Sequence, residues 1–91
     1  MMNIENRVTK LYIKELSPAV AIELIEKYKI PTPYKEILIA VCVEHRYIYP
    51  AMRHLSKEYG INLEYKTVCR RLKVALEMFR KANALDKNSY L

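Results

Sequence analysis

Cys42, His45, His54 and Cys69 are the side chains of this sequence best suited to hold a soft metal or act as a nucleophile with a base. Cys42-x-x-His45 sets a thiol and an imidazole on one face of a helix, as a zinc ion requires. His54, however, falls in a different segment, and the spacing on to Cys69 fits no common zinc pattern. A Cys–His nucleophile pair, Cys42 with His45 or Cys69 with His54, needs an orienting third group and an oxyanion site. The chain has one Asp, Asp86, and one Gly, Gly60, to build them from. A buried Cys is otherwise an ordinary small core residue. The expectation is no metal, no cofactor and no catalytic constellation, so the chain does not read as an enzyme.

Composition removes further classes. A Gly-rich phosphate loop or a dinucleotide-binding turn needs several glycines. No apolar run approaches the ~20 residues of a membrane span. The opening Met-Met-Asn-Ile-Glu-Asn-Arg has no apolar core of signal-peptide type. Two cysteines without an export signal read as reduced thiols in a cytoplasmic protein. Apolar residues make up 52% of the 91, enough for one small folded domain spanning residues 1–91.

The remaining chemistry is cationic. Sixteen Lys and Arg against ten Asp and Glu give a formal charge of +6. Residues 1–65 carry nine basic and eight acidic side chains, and residues 66–91 carry seven and two. The excess therefore lies almost wholly in the last helix and tail. With Leu72 at the centre of that helix's buried face, a rotation of ~100° per residue turns Arg70, Val74 and Lys81 outward. Lys66, Thr67 and Glu77 lie beside them, and Arg71 and Lys73 take opposite flanks. A helix with Arg at its outer centre and cations on both edges has the layout of a major-groove reader. Arg70 is the expected base contact, bidentate to guanine, with Thr67 and Val74 on neighbouring base edges. Lys57, Lys66, Arg71 and Lys73 are expected on phosphates, with the Ala51 N–H at the start of the preceding helix. The plainer alternative is a solvated basic face.

Five helices must position these groups. The first runs from about Ile4 to Leu16, with Ile4, Val8, Leu11, Tyr12 and Glu15/Leu16 on its apolar stripe. Ser17-Pro18 caps and opens the second, to about Tyr28, with Val20, Ala21, Leu24, Ile25 and Tyr28 inward. Thr32-Pro33 repeats the device and opens a central helix to about Arg46, with Ile37, Leu38, Val41, Cys42 and His45 on one stripe. After an aromatic connector, Tyr47-Ile48-Tyr49, Pro50 opens the fourth helix, and Gly60 suits a left-handed cap. Asn62 is a candidate cap for the last helix, about Leu63 to Ala84, with Tyr65, Val68, Cys69, Leu72, Leu76 and Phe79 inward. Asp86 to Leu91 reads as a frayed tail. The fold class is all-α, with residues 1–46 completing the core around a helix-turn-helix at about 50–83. Leu55 and Tyr59 are expected to pack on Ile61, Val68 and Leu72, and small Ser56 to face the second motif helix. Tyr59 and Tyr65 read as core-edge residues, whereas Tyr47 and Tyr49 suit either packing or phosphate contact.

Tyr49-Pro50, Leu55-Ser56-Lys57-Glu58-Tyr59 and Val68-Cys69-Arg70-Arg71-Leu72-Lys73-Val74-Ala75-Leu76-Glu77 carry a resemblance. The last is similar to Val-Glu-Arg-Ala-Ile-Arg-His-Ala-Ile-Glu in the DNA-binding effector domain of the sporulation master response regulator of endospore-forming bacteria. Tyr34 to Glu44 resembles the helix before that domain's motif. Roughly a helical turn plus a longer loop is added here between Tyr49-Pro50 and Val68. Cys69, Arg71 and Val74 depart from the family pattern, and no receiver domain accompanies the likeness. It implies a helical DNA-binding domain in which Arg70 and Lys73 match recognition-helix Arg positions.

The expected partner is double-stranded DNA, in transcription control and without a membrane, with the first two helices available for a homodimer. The alternative is a small helical inhibitor or adaptor, of the kind a phage or mobile element carries, that contacts an acidic protein surface or a nucleic-acid enzyme. RNA binding ranks below both, for want of an exposed aromatic platform or Gly-rich clamp.

Overall fold

Ser, Pro, Asn and Gly punctuate the chain into helices, and the computed structural model, which describes residues 2–88, shows five of them and no strand among those residues. Helix α1 (Ile4–Glu15) starts at Asn3, whose side-chain oxygen accepts the Asn6 N–H at 2.8 Å. Ser17 caps α2 (Pro18–Lys27), with Pro18 at a position that needs no N–H partner. Helix α3 (Tyr34–Leu38) runs straight into a π-helical turn, Ile39–Val43. Helix α4 (Ile48–Tyr59) ends at Gly60, φ +66°, whose N–H donates to the Ser56 carbonyl while Ile61 N–H donates to that of Leu55. A Cβ on Gly60 would meet no atom within 4 Å, so the left-handed backbone, not space, calls for glycine there. Helix α5 (Tyr65–Asn88) lies across the others.

The core forms where α5 meets α3, with the π turn packed against α1, α4 and α2. Val68, Leu72, Ala75, Leu76 and Phe79 share one buried cluster with Ile37, Leu38, Val41, Cys42, Ile13, Ile25 and Leu55. Leu38 and Ala40 to Val43 are buried nearly all round, so the α3 segment is the central one, as its wide apolar surface implies.

Several boundaries differ from the sequence expectation. Pro33, not Thr32, stands at the α3 cap, and the Thr32–Pro33 peptide is cis. The central helix ends at Val43 rather than Arg46, because His45 takes a left-handed conformation, φ +56°. The π turn carries more residues per revolution than an α-helix, so the α-helical stripe does not extend to His45, which is exposed. Tyr47-Ile48-Tyr49 is the start of α4 rather than a connector. Asp86 is helical and accepts hydrogen bonds from Lys27 Nζ at 2.9 Å and Tyr28 Oη at 3.1 Å. Those bonds, Lys27 first, hold its carboxyl below the usual carboxylate range. Asp86 to Asn88 therefore do not form the expected frayed tail, whose residues 89–91 lie outside those described.

The largest departure is in α1. Ile4, Val8 and Leu11 are 75%, 60% and 59% exposed, and the helix instead buries Asn6, Thr9 and Ile13. Thr9 and Asn6 are small enough to bring α1 close to α5 and the π turn. The Thr9 hydroxyl is satisfied by the Glu5 carbonyl at 2.9 Å. Arg80 of α5 then reaches Glu5 at 2.6 Å. On α2, Val20 is likewise exposed, whereas Ala21 and Ile25 face the core.

Candidate nucleic-acid interface

The outer face of α5 is arranged as its periodicity implies. Lys66 and Arg70 are exposed, Val74 is at the edge of exposure, and Thr67, Arg71 and Lys73 are half-buried around them. The buried face opposite is Val68, Leu72, Ala75 and Leu76. Tyr65 does not join it: its ring is exposed and stacks on Tyr49 with centroids 4.9 Å apart.

The cations of α5 divide into two groups by their partners. Arg80 is paired with Glu5, and Lys87 Nζ lies 5.0 Å above the Tyr12 ring. These two tie the C-terminal half of α5 to α1. In the N-terminal half, Arg71 sits 5.8 Å above the Tyr34 ring. Among the described residues, Lys66, Arg70 and Lys73 have no ion-pair partner, and neither does Lys57 on α4. On α5 the cations without an ion-pair or ring partner among the described residues are thus Lys66, Arg70 and Lys73 in its first half and exposed Lys81 in its second. Arg53, exposed and unpaired among the described residues, lies one turn before Lys57 on α4 and adds to them. Its charge is hidden in the near-neutral balance of residues 1–65, and only its i, i+4 relation to Lys57 signals it.

Ala51 departs from its expected role. It is fully buried, and its N–H donates to the Tyr47 carbonyl at 2.9 Å, so it has no hydrogen bond to offer a phosphate. This follows from the earlier start of α4, which places Ala51 inside the hydrogen-bonded ladder.

The connector between α4 and α5 is longer than a tight helix-turn-helix allows. From Gly60 the chain turns back along α4. Asn62 lies against Ser56, Oδ1 to Oγ 2.5 Å, and donates to the Gly60 carbonyl at 3.4 Å. Leu63 and Glu64 line a shallow groove with Met52 and Arg53, and Tyr65 reaches Tyr49. The beginnings of α4 and α5 are therefore neighbours. Asn62 secures this return rather than capping α5, which starts two residues beyond Leu63. Ser56 faces the connector rather than α5. Tyr59 is exposed, edge-on to His54 at 5.9 Å, instead of packing on the motif core.

Tyr47, Tyr49 and Tyr65 give this end of the molecule an exposed aromatic surface, contrary to the expectation that none is present. Tyr49 and Tyr65 each spend one ring face on the other, which leaves less for stacking on bases.

The thiols and imidazoles are dispersed. Cys42 is completely buried, and burial pushes its thiol up to about 11 against the opposing pull of Lys10 and Lys14. His45 is exposed beyond the end of the helix, so the pair does not share a face. His54 Nε2 is 3.5 Å from Glu44 Oε1, and Cys69 is half-buried one turn after Tyr65 on α5. Among the described residues, no three His, Cys, Asp or Glu side chains form a group that could hold a metal ion. With iodoacetamide near ~pH 8, Cys69 is expected to alkylate in the folded protein and Cys42 only after denaturant is added. Peptide mass mapping checks this, and equal labelling of both in the native state would contradict the burial of Cys42.

No helix among the described residues is long and apolar enough to cross a membrane. In comparisons with protein-family models, curated proteins and solved structures, nothing matches this chain.

Proposed function

We propose that this chain is a cytoplasmic, double-stranded DNA-binding regulator of transcription that reads the major groove with the first half of α5. The observation that carries the reading is the set of cations without an ion-pair partner among the described residues, Lys66 and Arg70 on the outer face and Lys73 on the flank of a helix whose other side is core. Arg70, at the centre of that face, contacts guanine O6 and N7, with Thr67 and Val74 beside it on neighbouring base edges. Lys66, Arg71 and Lys73 meet the phosphates of the two groove walls, and Lys57 with Arg53 extends the contact from α4. Helices α4 and α5 act as a helix-turn-helix with a lengthened connector. The resemblance to the sporulation-regulator effector domain, in which Arg70 and Lys73 match recognition-helix positions, supports the same assignment.

The test is selection from a randomised duplex pool followed by affinity measurement on the recovered sequence. Arg70→Ala is expected to cost roughly 1–3 kcal/mol and to relax the preference at one base pair. Lys73→Ala is expected to weaken every sequence alike and to flatten the log–log salt dependence by about one unit. If neither substitution alters duplex binding, this face is not the reader.

A further inference from the structure

The exposed stripe of α1 is a feature of the surface that the DNA reading leaves unused. Ile4, Val8 and Leu11 recur at i, i+4 and i+7, directly opposite the buried Ile13, and together present a continuous apolar ridge. Apolar grooves flank it on both sides. One, of about 500 Å³, lies between Ile4, Val8 and Tyr12 of α1 and Arg80, Asn83 and Lys87 of α5. The other, of about 380 Å³, is lined by Met2, Arg7, Lys10, Leu11 and Lys14. A contiguous exposed apolar face with polar rims marks an interaction site.

The rims decide what fits it. Arg7, Lys10 and Lys14 form one edge, on successive turns of α1. On the other edge, Arg80 and Lys87 stand beside Glu5, which is already engaged by Arg80. A second copy docked antiparallel on this ridge would set the basic edge against itself. Docked parallel, it would offer the three cations of that edge two carboxylates at most, exposed Glu15 and the already engaged Glu5. We propose that the outer face of α1 docks an acidic amphipathic helix of a different protein, its apolar side chains entering the two grooves and its carboxylates meeting Arg7, Lys10, Lys14 and Lys87. Helix-in-groove recognition of this type is read through i, i+4, i+7 anchors, as here. A DNA-binding chain built this way carries two separate surfaces, one for the duplex on α5 and one for a protein on α1.

The test uses fluorescence anisotropy with a labelled amphipathic peptide of about 15 residues, long enough to form a helix. Leu occupies its i, i+4, i+7 stripe and Glu the remaining surface, and a twin carries Lys in place of every Glu. The acidic peptide is expected to bind and the Lys twin not to. Val8→Glu and Leu11→Glu are expected to weaken the acidic peptide at least about tenfold. Because these side chains are exposed, the thermal melt should be unchanged, and duplex DNA binding should shift by less than about twofold. Lys66/Arg70/Lys73→Ala is expected to leave peptide binding intact, which separates this proposal from the DNA reading. Three results would overturn it: equal binding of both peptides, loss of peptide binding in the α5 variant but not the α1 variants, or a sedimenting homodimer that Val8→Glu dissolves.

Discussion

Phe79→Ala is expected to cost about 3–5 kcal/mol of folding stability, a large share of the roughly 5–15 kcal/mol available to a domain of this size. Phe79 is completely buried in α5, and its ring is where three helices meet. Tyr28 at the end of α2 packs edge-on against it at 5.1 Å, and Tyr12 of α1 tilts onto it at 6.4 Å. Truncation removes both ring contacts and leaves a cavity that three separate helices would have to collapse together. The surroundings resist that collapse. Tyr28 is held by its hydroxyl, 2.9 Å from Asn83 Oδ1, and α1 by the Glu5–Arg80 pair. Urea unfolding should show a lower midpoint with an unchanged slope. Phe79→Leu, closer in volume, should cost distinctly less. Equal midpoints for wild type and Phe79→Ala would mean that α1 and α2 are not seated on α5 as described.

The second large effect concerns binding. Lys66/Arg70/Lys73→Ala is expected to lower duplex affinity by about a hundredfold or more at low salt, since it removes the central base contact and two phosphate contacts. Arg71 is left in place deliberately. Its guanidinium lies over Tyr34, so its loss would disturb packing between α5 and α3 as well as binding. The three substituted side chains have no ion-pair partner among the described residues, and Lys66 and Arg70 are exposed, so the variant should fold normally. Near-native circular dichroism with lost DNA binding is the expected combination.

The all-α class and the buried face of α5 were legible in the sequence because local chemistry decides them. Ser17-Pro18 and Gly60 end and start helices through their own backbone preferences, and the 68, 72, 76, 79 spacing has one apolar face to bury. Helix α1 has two candidate faces, and periodicity favours the more apolar one, which the structure leaves exposed. The face that packs is instead the one with small Asn6 and Thr9, chosen by close approach to α5 and by Arg80 reaching Glu5, a partner 75 residues away. His45 leaves the α-helical stripe because the π turn before it, which spacing does not reveal, shifts the register. Within the candidate site, Arg70, Lys66 and Lys73 follow from helical geometry alone. The buried N–H of Ala51, the Tyr49–Tyr65 stack and the platform of Tyr34 beneath Arg71 depend on tertiary placement that no spacing rule encodes.

A salt titration of binding to random-sequence duplex DNA tests the central claim most directly. If α5 lies in the groove with cations on both walls, log affinity should fall linearly and steeply with log salt, by about 0.9 per phosphate neutralised. The slope should shrink by about two in Lys66/Arg70/Lys73→Ala, whose Lys66 and Lys73 supply phosphate contacts. Weak binding with a flat salt response, or a steep slope that the variant keeps, would contradict it.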